Sequence, residues 1–148
     1  MAVMTTRRGF LLGAAAAPAM AQGRFAGKLG LQMYSLRRET AKDLPGTLAL
    51  VRKLGFEELE VGGFHGQTAT EFRGTLAGHE LKAVSLGAEW GTLSKSVQKV
   101  IDDASALGAG YVMCSSIPGP RRLTFDAAVR AAEQFNRWGE PLARAGLR

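Results

Sequence analysis

Residues 54–62 read LGFEELEVG, and this stretch decides the fold class of the chain. The glycine at position 55 favours the left-handed conformation that ends a helix. Residues 58–62 then have the length and pattern of a short strand. A helix that ends at a glycine and leads directly into a strand is the joint between two β/α units. The stretch therefore predicts an α/β protein.

The alternation of strand and helix continues outward from this joint over most of the chain. Short apolar runs predict strands at residues 30–34, 58–62, 82–86 and 111–114. Because a segment of helical length follows each run, we expect the strands to be parallel and their crossovers right-handed. The arrangement is then either a doubly wound sheet or a (β/α) barrel.

The predicted helices have recognisable start and stop signals. Asp43 is the expected N-cap of the first helix. Thr68 and Glu71 have the spacing of a capping box at the start of the second helix, which is expected to close at Gly78. Apolar residues at helical spacing predict one continuous helix over residues 93–107.

The last predicted helix begins at Thr124 or Asp126. Pro141 lies within it and is expected to kink or divide it, because proline lacks the N–H that the helix needs. The apolar residues expected to face inward are Phe125, Ala128, Val129, Ala132 and Phe135.

The length of the chain limits how much of a barrel it can form. A complete eight-fold barrel needs about 250 residues, whereas this chain has 148 and ends where a fifth strand would begin, at Leu147. We therefore expect parallel (β/α) units amounting to about four of the eight of a TIM barrel, that is, a half-barrel. A truncated reading frame, a fragment and a stand-alone half are the alternatives.

The first 21 residues are typical of an export signal. The paired Arg7 and Arg8 precede an apolar, alanine-rich run over residues 10–19, and small residues that flank a cleavage site follow. The paired arginines and the phenylalanine two positions later resemble a twin-arginine leader. We therefore expect residues 1–21 to engage the twin-arginine export machinery and the remainder to be periplasmic. The alternative is an alanine-rich first helix of a cytoplasmic protein.

Composition excludes several other classes. The chain is 46% apolar and 22% charged, which is typical of a globular protein. A single cysteine excludes an internal disulfide framework and a cysteine-based zinc cluster. No stretch has the ~18 apolar residues of a membrane span, and we expect no stable membrane anchor. The formal charge falls from +6 to +4 once Arg7 and Arg8 are removed, so nucleic acid is not an expected partner.

Several segments together resemble a known family. The strongest are LGLQMYSLR at residues 29–37, DLPGTL at 43–48 and LGFEELE at 54–60. In order and spacing they resemble the opening of the xylose-isomerase-like TIM barrels, in the exported sugar phosphate isomerase/epimerase branch. Weaker similarity continues at residues 82–85, 99–104 and 145–148. The resemblance covers residues 22–148 but only the N-terminal half of that fold.

The resemblance implies a divalent metal, Mn²⁺, Mg²⁺ or Zn²⁺, at the carboxyl-terminal mouth of the barrel. There the metal would polarise sugar oxygens while a carboxylate moves a proton. In the family the principal Glu, Asp and His ligands lie mostly on later strands, beyond Arg148. We therefore predict no metal ligand in this chain, no metal binding by this chain alone, and leave the catalytic residues unassigned.

Three candidate substrate-binding residues lie at the ends of the first two predicted strands, where barrels build their sites. Gln32 and Tyr34 end the first strand, and Glu60 ends the second. Tyr34 is equally well explained as a half-buried strand aromatic. Glu60 alternates with Glu58, which also fits a strand residue that faces solvent.

Three further candidates lie in the loops after strands two and three. His65 is in a glycine-rich loop and is either a pocket residue or a solvated loop histidine. Glu89 and Trp90 follow strand three, and Trp90 is expected to stack on a sugar face. Many relatives have a histidine after this strand and this chain has none, which weakens the prediction of a ligand there.

The leading hypothesis is that this chain is the N-terminal portion of a metal-dependent sugar or sugar phosphate isomerase/epimerase-like protein and is incomplete for catalysis by itself. Its expected partner is a small sugar or sugar derivative. The alternative is a non-catalytic half-barrel that self-associates into a homo-oligomer or binds sugar without turnover.

Overall fold

A computed structural model describes residues 27–119 and 122–148, so the predicted export signal lies outside the described residues. Its core element is a four-stranded parallel sheet in the order β1-β2-β3-β4. The strands are β1 (Leu29–Gln32), β2 (Phe56–Val61), β3 (Lys82–Gly87) and β4 (Tyr111–Met113). The predicted parallel α/β fold is confirmed.

Helices connect consecutive strands. After β1 the chain forms one 3-10 turn, Met33–Leu36, before the first helix. No helix in the described part of the chain is both long and apolar enough to cross a membrane. The helices are α1 (Arg37–Thr40), α2 (Leu44–Lys53), α3 (Ala69–Gly78), α4 (Trp90–Lys95), α5 (Val97–Leu107) and α6 (Phe125–Arg144).

The local helix signals are confirmed. The Asp43 carboxylate accepts a hydrogen bond of 2.9 Å from the backbone N–H of Gly46 at the start of α2. Gly55 adopts φ +92° after α2. Thr68 and Glu71 form a reciprocal capping box at the start of α3. The backbone N–H of Thr68, and secondarily its hydroxyl, donate to Glu71 and hold the pKa of that carboxyl below its ordinary value.

Several predicted boundaries are wrong. The strand predicted at residues 58–62 spans Phe56–Val61, and the one predicted at 111–114 ends at Met113. The expected helix over residues 93–107 is interrupted at Ser96, whose backbone is extended with φ −162° and ψ 100°. The Ser96 hydroxyl accepts from the N–H of Lys99 at 3.1 Å, so it starts a new helix rather than continuing the old one. The first strand ends at Gln32, and Tyr34 belongs to the 3-10 turn that follows.

Helix α6 follows its predicted face only in part, because Phe135 packs against the core whereas three other residues of that face do not. Phe125, Val129 and Ala132 are exposed, Phe125 by 82%, because only the part of the helix around Trp138 packs on the core. The prediction that Pro141 divides the helix is also wrong. Core contacts of Trp138 and of Leu142, on either side of the proline, keep the segment helical.

The hydrophobic core lies between the sheet and the helices. Leu59 and Val61 of β2 are fully buried there, against side chains of α2, α3 and α5. Beside β4, the N–H of Arg148 donates to the Gly110 carbonyl, and the Arg148 carbonyl accepts from Val112. These two bonds have the parallel-ladder pattern, but residues 147–148 are not assigned to a strand and the sheet of the described residues has four strands.

Candidate functional site

A cleft opens at the edge of the sheet where the parallel strands end, which we call the carboxyl edge. Its volume is about 390 Å³. Residues from all four strand ends and the loops after them line it: Gln32, Tyr34, Glu60, Gly62, Gly87, Ala88, Glu89, Met113 and Ser115. Four of the six predicted site residues, Gln32, Tyr34, Glu60 and Glu89, are therefore brought together.

Glu60 lies at the centre of a polar row across three strands. Gln32 of β1 donates from Nε2 to Glu60 Oε1 at 2.6 Å. Ser85 of β3 donates from Oγ to Glu60 Oε2 at 3.4 Å, a long hydrogen bond. Because each carboxylate oxygen has two lone pairs, Glu60 retains acceptor capacity after both bonds form. Its position is fixed while it remains able to accept from a ligand.

A register irregularity brings Ser85 to this row. Leu59 pairs with Ala83, but the next residue, Glu60, pairs with Ser85 instead of Val84. Without this shift, a valine would lie beside the carboxylate. Irregularities of this kind re-aim side chains near functional sites.

Two glycines, Gly62 and Gly87, belong to the lining of the cleft. A Cβ at Gly87 would lie 3.4 Å from the Val61 carbonyl oxygen and 3.5 Å from the Cα of Gly62, which are ordinary van der Waals contacts, and a Cβ at Gly62 would meet nothing within 4 Å. The lining at these two positions is therefore backbone alone, with no side chain beside Glu60.

Tyr34 is exposed by 67%, so its interpretation as a half-buried strand aromatic is wrong. The Arg37 guanidinium lies over its ring at 4.4 Å from the centroid. Arg37 also donates from Nη1 to the Tyr34 carbonyl at 3.0 Å. The exposed Tyr34 ring thus forms one wall of the cleft, and the Arg37 guanidinium packs against that ring.

Two predicted site residues lie outside this cleft. The Trp90 ring packs edge-on against Trp138 at 4.6 Å and Phe135 at 5.3 Å, and it borders a separate hollow along α6. His65 adopts φ +52° in the loop after β2, with its ring 5.6 Å from that of Phe72. It lines a smaller hollow next to the cleft.

Sequence reasoning missed two residues that line the cleft, Met113 and Ser115, and two that hold its lining residues in place, Ser85 and Arg37. Ser85 was inside a predicted strand, and only the register reveals that it faces Glu60. Met113 and Ser115 lie at the end of β4, so the strand-end rule that selected Gln32 and Glu60 could also have selected them. Arg37 gave no sequence signal beyond its charge.

The donor set does not fit a metal centre. Within residues 27–119 and 122–148, no three His, Cys, Asp or Glu side chains are placed to hold one ion. Both Glu60 oxygens accept hydrogen bonds from neutral donors. This arrangement suits hydroxyl groups better than a divalent cation, which prefers several carboxylates or imidazoles.

Comparison with solved structures finds proteins of similar fold. The chain is similar to a sugar phosphate isomerase/epimerase from Parabacteroides distasonis, with a TM-score of 0.69 and 24% identity over 86% of this chain and 51% of that protein. It is also similar to a xylose isomerase domain protein from Alicyclobacillus acidocaldarius, with a TM-score of 0.47 and 19% identity over 71% of this chain and 43% of that protein. No protein-family model matches the chain. A comparison with curated proteins gave no match.

The first of these likenesses confirms a TIM-barrel-like fold and the structural resemblance expected from the sequence. The chain spans about half the length of the solved structures it matches.

Proposed function

We propose that this chain supplies part of the sugar-binding mouth of a sugar or sugar phosphate isomerase/epimerase-like protein. The observation that carries the proposal is Glu60, which Gln32 and Ser85 fix at the carboxyl edge inside an open cleft. Parallel α/β barrels build their sites at this edge. A carboxylate fixed by neutral donors is well suited to accept hydrogen bonds from sugar hydroxyls.

Each residue has a definite role in this proposal. Glu60 accepts from one or two hydroxyls, and its charge strengthens those bonds. Gln32 orients Glu60 and offers its own amide oxygen to the ligand. The ring of Tyr34 covers one side of the cleft, where an apolar sugar face can pack. Glu89 adds a second carboxylate at the rim.

Turnover is not assigned to this chain alone. In such an enzyme a bound divalent metal polarises the substrate oxygens. The described residues do not fit that group, so we propose that the chain binds sugar without converting it. We expect Mn²⁺ to bind weakly or not at all when followed by calorimetry. Tight one-to-one Mn²⁺ or Zn²⁺ binding would contradict this part of the proposal.

The test is a titration of the chain with D-fructose and D-xylose, followed by calorimetry. We expect Glu60→Gln to weaken binding at least about tenfold, because a charged acceptor is lost. The matched control is Glu80→Gln, a carboxylate at the opposite edge of the sheet that is paired with Arg52. Unchanged affinity in Glu60→Gln, or no sugar binding by the unaltered chain, would overturn the proposal.

Export is a separate part of the proposal and is supported by the paired Arg7 and Arg8 ahead of an apolar run. Replacing both arginines with lysine is expected to retain the protein in the cytoplasm, measured by fractionation. Periplasmic recovery of the double variant would contradict a twin-arginine route.

Self-association without catalysis is the second candidate function. It is favoured by the exposed side chains of Phe125 (82%) and Leu123 (54%), which a partner copy could cover. Sedimentation at increasing concentration tests it, with Phe125→Ser as the variant. A monomer at all concentrations would exclude this candidate.

A further inference from the structure

A second hollow adjoins the cleft and differs from it in charge. Its volume is about 280 Å³, and it shares two lining residues with the cleft, Tyr34 and Gly62. The cleft is lined by two carboxylates, Glu60 and Glu89. The hollow is lined by no acidic residue and contains one arginine and one histidine. Its lining is Met33, Tyr34, Arg37, Thr40, Gly62, Gly63 and His65.

Arg37 is the positive charge of this hollow. Its guanidinium lies over the Tyr34 ring and bonds the Tyr34 carbonyl, so its orientation is set before any ligand arrives. A guanidinium carries five N–H donors, and its hydrogen bond within the described chain uses one nitrogen only. None of the described carboxylates forms an ion pair with it.

His65 lines the same hollow. It belongs to the loop after β2, whereas Arg37 belongs to α1. The left-handed backbone at His65 and at Gly66, with φ values of +52° and +82°, turns the loop after β2 at this place. Contact with Phe72 at 5.6 Å holds the imidazole ring against a fully buried side chain. The imidazole can therefore add a hydrogen-bond donor beside the guanidinium.

We propose that the Arg37–His65 hollow binds an anionic group, a phosphate ester or a carboxylate, at one end of the sugar whose hydroxyls contact Glu60. This inference rests on the proposed function of the cleft. The two compartments adjoin at Tyr34 and have opposite charge, so a ligand with hydroxyls at one end and an anion at the other binds in one orientation only. Arginine is suited to such groups because its planar fork donates two parallel hydrogen bonds to one oxyanion.

The experiment compares D-fructose with D-fructose 6-phosphate, and with D-gluconate as the carboxylate, by calorimetry at low salt. We expect at least one anion to bind about tenfold more tightly than D-fructose, as hydrogen bonds to a charged group predict. A gain for the phosphate alone identifies a phosphate ester, and a gain for gluconate alone identifies a carboxylate. Both outcomes support the proposal.

Variants of Arg37 test whether the gain in affinity for an anion over D-fructose comes from the Arg37–His65 hollow. Because Arg37 also packs on the Tyr34 ring that lines the cleft, the gain is measured in each variant as the ratio of anion affinity to D-fructose affinity. Arg37→Gln is expected to abolish this gain, whereas Arg37→Lys keeps part of it. The matched control is Arg38→Gln, the next residue of α1, which does not line the hollow. A gain that survives in Arg37→Gln, or is lost in Arg38→Gln, would overturn the proposal, as would equal binding of all three ligands.

The two proposals fail in distinguishable ways. D-fructose binding that depends on Glu60, with no gain for any anion, removes the anion site and leaves the sugar cleft. Conversely, inorganic phosphate is titrated alone while the amide signals of residues 62–66 are followed by NMR. Phosphate shifts that depend on Arg37, without any binding of D-fructose, support the anion site and contradict the sugar cleft.

Discussion

Carboxylates lie at both edges of the sheet, but the partners of their oxygens differ between the two edges. At the amino edge, where the strands begin, Arg52 pairs with Glu80 at 3.0 Å, and Lys82 pairs with Glu58 at 3.0 Å. Each of these charges meets an opposite charge from a neighbouring element. The carboxylates at that edge are therefore already paired and are less able to bind a ligand.

At the carboxyl edge, none of the described lysines or arginines pairs with Glu60 or Glu89. Glu60 is instead held by a neutral amide and a hydroxyl. A carboxylate that is oriented but not neutralised keeps most of its affinity for a ligand. Both edges carry the same type of residue, and they differ in its partners, which are opposite charges at the amino edge and neutral donors at the carboxyl edge.

The largest effect is expected from the core on which both edges depend. Phe72 is fully buried, and Phe72→Ala should lower the free energy of unfolding by about 3–5 kcal/mol. The matched control is Phe125→Ala, at an 82% exposed position, which should change it by less than about 0.5 kcal/mol. Urea denaturation measures both. Equal losses would mean that the core does not lie where the structure has it.

A smaller effect is expected at the carboxyl edge, and on binding rather than stability. Gln32→Met keeps the length of the side chain but removes the donor to Glu60. One hydrogen bond contributes about 1 kcal/mol, so sugar affinity should fall about fivefold while the urea midpoint stays within error. Calorimetry and denaturation of the same sample separate the two. Lost stability with unchanged affinity would assign Gln32 to structure.

At the amino edge we expect the opposite result, a loss of stability without a loss of sugar affinity. Arg52→Met removes the contacts to Glu80 and to Glu57, and both are surface pairs. Stability should fall by about 0.2–1 kcal/mol, less at high salt, with sugar affinity unchanged. A drop in sugar affinity would show that the two edges are coupled.

The smallest effect concerns the capping box at the start of α3. The pKa of Glu71 is lower in the folded chain than its ordinary value of 4.5, because Thr68 donates to its charged form. Its contribution is therefore fully present above about pH 4.5 and is lost as the pH falls through the lower native pKa. Urea midpoints of the unaltered chain and Glu71→Gln should differ at neutral pH and converge in acid. A difference that is constant with pH would contradict the charged cap.

The fold was largely predictable from the sequence because its signals are local. The Asp43 cap, the Thr68–Glu71 box and the stop at Gly55 each depend on residues a few positions apart. The break at Ser96 was missed because an apolar face at helical spacing runs across it. The exposure of Phe125 depends on where α6 meets the core, which local pattern does not determine.

The site was predictable only in part, for a related reason. Gln32 and Glu60 follow from the rule that barrels place their sites at strand ends. Ser85 depends on a register shift between β2 and β3, and sequence pattern does not specify register at single-residue precision. Trp90 was expected in the cleft, but packing against Trp138 and Phe135 holds it elsewhere.

The most direct test of the account maps sugar binding onto the two edges. Backbone amide signals of the unaltered chain are followed by NMR during a titration with D-fructose. We expect concentration-dependent shifts at Gln32, Glu60 and Gly87, and none at Glu80 or Lys82. Shifts confined to the amino edge, or no shifts at any sugar concentration, would contradict the claim that the carboxyl edge binds sugar.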